Sequence, residues 1–376
     1  MIEHNVLIGN GVNIAFSEND DYKNYKIIER LMSNLNTKDY GPIFNNIVDS
    51  EDLRNLLIGL NDVFNTKINC ITSFQLTKDM DEMLTLLEIS KRYKNKPKGL
   101  LDISMEDYFF VLKLFNNSLG DKMANENDIF TGLKWIFLDS IYNDGKIENL
   151  YLKMNNYTSE LLKYKNIFTL NYDTNIDKLV PDKNVYHLHG SFNILNDTYN
   201  PETILGYINQ ESDNPQNIID GYKHIYCNAI MSYSGEHKNN ILENPSNSNI
   251  GLEGFIYHLL LKNDEYLRCY RESQNSSNES QIFLAKSIDA KLKKPHLKHT
   301  EYPINQFKSI GGVLDIIGLS PNNDSHIFNM INQNSKIKKI NYFGTNPKDI
   351  NNIKRIISKP VVYRNVFKYW DKINDK

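Results

Sequence analysis

A short strand signal at residues 5–8 (NVLI) leads straight into Gly9-Asn10-Gly11, and residues 12–16 (VNIAF) follow without a break. A short buried strand, a tight glycine turn and a helix start form the opening unit of a nucleotide-binding α/β fold. Glycines at 9 and 11 let the backbone turn sharply and approach a phosphate, whose charge the helix N-terminal amides favour. The loop is not a full GxGxxG, because Ile14 stands where the third glycine belongs. No GK[ST] follows, which excludes a P-loop. Taken alone, the segment is equally well explained as a plain structural turn.

Downstream the periodicity changes. Apolar residues recur at helical spacing: Ile27, Ile28, Leu31 and Leu35, then Leu53, Leu56, Leu57 and Leu60. Met80, Met83, Leu84 and Leu87 continue the pattern, as do Leu133, Ile136, Phe137 and Ile141. No segment with period-two alternation interrupts them. Strand signals return at residues 166–170 (NIFTL) and 185–188 (VYHL), then at 314–317 (LDII) and 337–343 (IKKINYF), with a last one at 360–363. The expected architecture is therefore α/β: a Rossmann-like parallel sheet from residues 1–24 and 165–376, with a large helical insertion over residues 25–164. Residues 193–308 are rich in Asn, Ser and Glu. One helix is expected there near residues 254–271, followed by a mobile segment at 272–280 (ESQNSSNES).

Charge and cysteine usage narrow the function classes. Lys+Arg total 43 against 46 Asp+Glu, a net charge of −3, so there is no strongly basic surface and nucleic acid is not an expected partner. The basic run at 291–298 (KLKKPHLK) reads as a solvated loop. No stretch approaches the ~20 apolar residues of a membrane span. Cys70, Cys227 and Cys269 are far apart and form no CxxC pair, which excludes a four-cysteine zinc site. With no basic region and apolar core at the N-terminus, so few cysteines suit a reducing cytoplasm.

Four polar clusters sit just after predicted strands, where open α/β sheets bind ligands. The glycine loop with Asn13 is the first. Thr169-Leu170-Asn171-Tyr172-Asp173 is the second. Its Asn171 is either a helix cap, with Asp173 supporting the first turn, or an amide that orients a substrate hydroxyl, carbonyl or water. The third is His187-Leu188-His189-Gly190. Two histidines two apart on a strand share a side, yet no third metal ligand stands nearby in sequence. A histidine at a strand end, before a glycine that leaves room for a ligand, suits a general base, and a structural histidine is the alternative. The fourth, residues 318–324 (GLSPNND), offers Gly318, Ser320, Asn323 and Asp324 to a ribose and its phosphates, or simply caps a helix at Asn323 or Asp324. Asn341 and Gly344, at the end of the next strand, stand where they can reach an adenine or ribose.

In this order the clusters resemble the sirtuin family. Gly9-Asn10-Gly11 matches its opening loop, Thr169-Leu170-Asn171-Tyr172-Asp173 its T-x-N-x-D segment, and His189-Gly190 its HG pair. Gly318-Leu319-Ser320 matches its G-[TS]-S segment, and Asn341 the Asn of the next strand. The resemblance covers the α/β part and not the helical block. The zinc module of protein-deacylating sirtuins is missing, and so is the Pro-Asp-Phe-Arg stretch after the first loop. The long insertion, the Leu-Asn-Tyr-Asp version of the Asn motif and the run through His326-Ile327-Phe328 are similar to sirtuin-like effectors of bacterial antiphage defence.

That resemblance implies an NAD hydrolase that yields nicotinamide and ADP-ribose and depletes NAD in an infected cell. NAD is then the substrate, and no separate cofactor or metal is implied. His189 would be the general base and Asn171 the amide that positions ribose and water. Gly9, Asn10, Gly11 and Asn13 would hold the diphosphate, with Gly318, Ser320, Asn323, Asp324 and Asn341 on the adenosine side. Gly190 would give room beside the base, and Asp173 would brace the site. A toxic activity implies control, through homo-oligomer formation by the helical insertion, a separate ATPase or other defence partner, or a phage trigger. Two rival functions remain open: a silent NAD- or ADP-ribose-binding subunit, and an NAD-dependent deacylase or ADP-ribosyltransferase. No arginine marks a 2′-phosphate site, so NAD is expected over NADP.

Overall fold

A computed structural model describes residues 3–44, 49–66, 77, 79–94, 99–119, 126–212, 215–231, 235–320, 324–346 and 349–374. Six strands form one sheet: β1 (His4–Ile8), β2 (Asn166–Thr169), β3 (Val185–His187), β4 (Gly312–Ile317), β5 (Ile337–Gly344) and β6 (Val361–Asn365). All neighbours run parallel, in the order β3-β2-β1-β4-β5-β6. This is the doubly wound order of Rossmann-like folds, and the chain reverses direction across the sheet between β1 and β4. A parallel sheet is covered on both faces, which is why residues 6–8 of β1 read as an unbroken apolar run. Val6, Ile8, Ile167 and Ile317 pack into one core, and Leu7, Phe168, Leu314, Ile316 and Ile340 into the other.

Every described element between β1 and β2 is helical. They are α1 (Gly11–Phe16), α2 (Asn24–Thr37), α3 (Gly41–Phe44), α4 (Ser50–Thr66), α5 (Met80–Tyr93), α6 (Met105–Leu119), α7 (Glu126–Tyr142) and α8 (Thr158–Leu161), with short 3-10 turns. Their apolar faces merge with the first face of the sheet into one core that includes Leu31, Leu57, Phe109 and Phe137. Asp139 of α7 is buried at its centre and accepts from Tyr40 Oη at 2.6 Å, Lys38 Nζ at 2.9 Å and His224 Nε2 at 2.9 Å.

After α9 (Asn175–Leu179) and β3 comes a second helical block. It holds α10 (Ile204–Gln210), α11 (Gly235–Leu260), α12 (Asp264–Gln274), α13 (Glu279–Lys293) and α14 (Ile304–Ser309). The helix expected at 254–271 is in fact two helices. Lys262 takes a positive φ of 56°, and the Asn263 side chain caps α12 by accepting from Glu265 N at 3.0 Å. The segment expected to be mobile at 272–280 is helical at both ends: α12 runs to Gln274, and α13 starts at Glu279 with Asn278 as its cap. Lys291 also departs from the solvated loop expected for it. It is buried, and its Nζ donates to the Leu297 carbonyl at 2.6 Å. Helices α15 (Ser325–Gln333), α16 (Asp349–Ile356) and α17 (Val366–Asn374) complete the fold. Among the described residues no helix is long and apolar enough to cross a membrane.

Candidate functional site

The loops after β1 and β4 meet at the point where the strand order reverses. Gly9 N donates to Ile317 O at 2.9 Å and Gly11 N to Gly318 O at 2.8 Å. A Cβ on Gly11 would lie 2.6 Å from Gly318 Cα, and Gly318 itself has φ +70°. The glycines of the first and fourth clusters thus serve one close backbone contact, which any side chain would force apart. Asn10 donates to Tyr22 O at 2.8 Å. Asn13, fully buried, donates to Asp173 at 2.6 Å, and Asp173 also accepts from Asn175. Burial raises the pKa of Asp173, against the pull of these donors. Asp173 braces the first loop against the Asn171 segment.

Strands β2 and β3 pair Thr169 with His187, so Asn171 and His189 each stand two residues past the same rung. Asn171 is 7% exposed; its N donates to Thr169 Oγ1 at 3.0 Å and its carbonyl meets His187 Nδ1 at 2.9 Å. Its side-chain Nδ2 is buried with no hydrogen-bond partner among the described residues. An amide left so costs about 1–3 kcal/mol, and such groups in folded proteins call for an explanation. His187 does not turn to the same partners as His189. Its Nε2 pairs with Asp177 at 3.0 Å. Burial alone would lower its pKa, but Asp177 and the Asn171 carbonyl outweigh that and raise it.

His189 is 3% exposed, and its Nε2 lies 2.9 Å from Nε2 of His326, in the first turn of α15. One ring donates and the other accepts. Asp324 stands at the N-cap of the same helix, and one ligand atom from each of His189, Asp324 and His326 falls within 4.8 Å of the others. The sequence offered no third partner for a histidine cluster; folding supplies two. Lys238, buried in the first turn of α11, acts electrostatically on all three, and Glu106 of α6 acts on Asp324. Burial, reinforced by Lys238, pushes both imidazoles well below the ordinary histidine range, so they are neutral at pH 7. Burial pushes Asp324 up to about 6, with Lys238 pulling the other way.

The segment before α11 clamps these parts together. Ile230 N donates to His189 O at 2.9 Å, and Ser191 N to Asn228 Oδ1 at 2.9 Å. Tyr172 Oη donates to Ile230 O at 2.9 Å. Gly190 has φ +85°, and a Cβ there would lie 2.4 Å from the Asn228 carbonyl oxygen. Gly190→Ala is therefore expected to cost roughly 2–4 kcal/mol from left-handed strain plus the backbone clash. Urea unfolding checks this, and a change near zero would mean that the 228–230 segment does not hold His189.

The remaining candidates are spread more widely. Ser320 is exposed just beyond Gly318. Asn323 lies outside the described residues. Asn341 is paired in register with Asp315, inside the sheet, and donates to it at 2.6 Å; it does not join the histidine cluster. His326, Lys238 and Glu106 were not singled out as site residues by the sequence. His326 alone carried a signal, two residues after Asp324. Lys238 and Glu106 lie in helical blocks with no motif around them. No family model, curated protein or solved structure matches this chain.

Proposed function

We propose that this chain hydrolyses NAD to nicotinamide and ADP-ribose. The observation that carries the proposal is the buried, unpartnered Asn171 amide, which like His189 on the neighbouring strand stands two residues past the rung that pairs β2 with β3. Strand β2 adjoins β1, where the strand order reverses, and a doubly wound sheet takes a dinucleotide at such a switch point. The sirtuin-like order of the motifs supports the same substrate.

Nicotinamide departs from its pyridinium form as a neutral molecule, so the leaving group needs no acid. The transition state at the ribose is oxocarbenium-like, as in glycoside hydrolysis. The protein's task is to orient the ribose, keep out bulk water and admit one water. Asn171 Nδ2 supplies the missing donor for a ribose hydroxyl or that water. His189 accepts the proton released as water attacks, and a carboxylate oxygen of Asp324 lies within 4.8 Å of the imidazole that takes it. The loops at Gly9–Gly11 and Gly318–Ser320 face the diphosphate and adenosine. Chromatography of the products tests the reaction class: free ADP-ribose with no acceptor protein present supports the hydrolase. Turnover only with an acyl-lysine or acceptor protein would replace it with a transferase.

Control by self-assembly belongs to the same proposal. Helix α5 exposes Met80, Leu84 and Leu87 at i, i+4 and i+7, a single apolar stripe on the helical insertion that suits a second copy. Light scattering is expected to show an oligomer that Leu84→Glu with Leu87→Glu disperses. A monomer before and after the change would contradict this.

A further inference from the structure

We infer that His189, His326 and Asp324 form a binding site for one divalent transition-metal ion. The inference uses the same His189 as the proposed hydrolase but does not depend on NAD being the substrate. Two imidazoles and one carboxylate converge from separate elements, His189 from the end of β3 and the other two from the cap and first turn of α15. The two Nε2 atoms are 2.9 Å apart. Two nitrogens each ~2.0–2.1 Å from a common zinc ion lie roughly 3 Å apart, so the pair already has the spacing of neighbouring ligands. One ligand atom from each of the three residues lies within 4.8 Å of the others, and a modest turn of Asp324 completes a three-residue face.

Ligand type points the same way. The nitrogen-rich set suits zinc, cobalt, nickel or iron(II), whereas magnesium and calcium prefer oxygen ligands alone. Three protein ligands leave at least one position open to water. Both Nε2 lone pairs are engaged in the metal-bound form, so His189 cannot then serve as a base. Metal occupancy and the proposed hydrolysis are mutually exclusive states of one cluster.

The test is calorimetric titration of the whole chelator-treated chain with zinc, without NAD. One equivalent is expected to bind. Loss of a ligand in His326→Ala or Asp324→Asn is expected to weaken binding by more than the roughly 10–100-fold that follows loss of an outer-shell partner. Asn171→Ala, which removes no ligand, is expected to bind as the parent does. Cobalt added to the unmodified protein is expected to give visible absorption that zinc abolishes, which keeps the test independent of how well the variants fold. Absence of stoichiometric zinc binding, absence of the cobalt band, or equal affinity in folded His326→Ala would overturn the inference. Because NAD plays no part, failure of the hydrolase proposal would leave these results untouched.

Discussion

His189→Ala and Asn171→Ala are each expected to reduce NAD turnover by roughly 10²–10⁴-fold, the usual worth of a positioned proton acceptor or orienting group. The fold should survive both changes. What anchors residue 189 is its backbone carbonyl, held by Ile230 N, together with the adjacent Gly190 turn. Among the described residues its imidazole makes one hydrogen bond, to His326. The Asn171 backbone groups make the links to Thr169 and His187, and the side-chain Nδ2 makes none among the described residues. Removing that amide relieves an unsatisfied donor, so Asn171→Ala should be no less stable than the parent while losing activity. The two losses should not add in the double variant, because both groups act on one water and one ribose. Steady-state kinetics with unfolding curves on the same samples check this. Full turnover in folded His189→Ala would remove the histidine from the reaction.

Asp139→Ala is expected to cost the most stability, about 3–5 kcal/mol, the range for breaking a buried charged network by removing one partner. The carboxylate is 2% exposed and gathers Tyr40, Lys38 and His224. Alanine leaves Tyr40 Oη and His224 Nε2 buried without their acceptor, while the partly exposed Lys38 can turn toward water. Burial alone would raise the pKa of Asp139, but its hydrogen bonds from His224, Tyr40 and Lys38 outweigh burial and hold it below the usual carboxylate value. A folded-state pKa lowered in this way gives stability that is present above the unfolded value near ~3.9 and lost as pH falls below it. The gap between parent and variant in urea unfolding should therefore be full at pH ~7 and shrink only below pH ~4. A gap unchanged by acid would mean that the charge of Asp139 is not what the network uses. His224 stands just before the 228–230 segment, so the same change should loosen the clamp on His189.

The central strands were legible because they carry short apolar runs ending at a glycine, as at Ile8-Gly9 and Ile317-Gly318. Strand order was not, since the neighbours of β1 lie far away in sequence and nothing local states which strand pairs with which. The second helical block hid behind its polarity: α11 contains Pro245 and many asparagines, and its helicity rests on tertiary packing of Leu242 and Leu252. His189 and Asn171 could be singled out because each follows a strand. The groups around them could not, because Lys238 and Glu106 come from elements that meet the site only on folding. At Asn341 the structure shows what the motif order could not: its Nδ2 donates to Asp315 within the sheet, while its Oδ1 is buried with no hydrogen-bond partner among the described residues.

The most direct measurement is nicotinamide release from NAD by the purified chain, with NAD binding measured on the same sample. Release of nicotinamide and ADP-ribose in equal amounts, lost in His189→Ala, is the predicted result. Absence of both nicotinamide release and NAD binding would contradict the account at its centre.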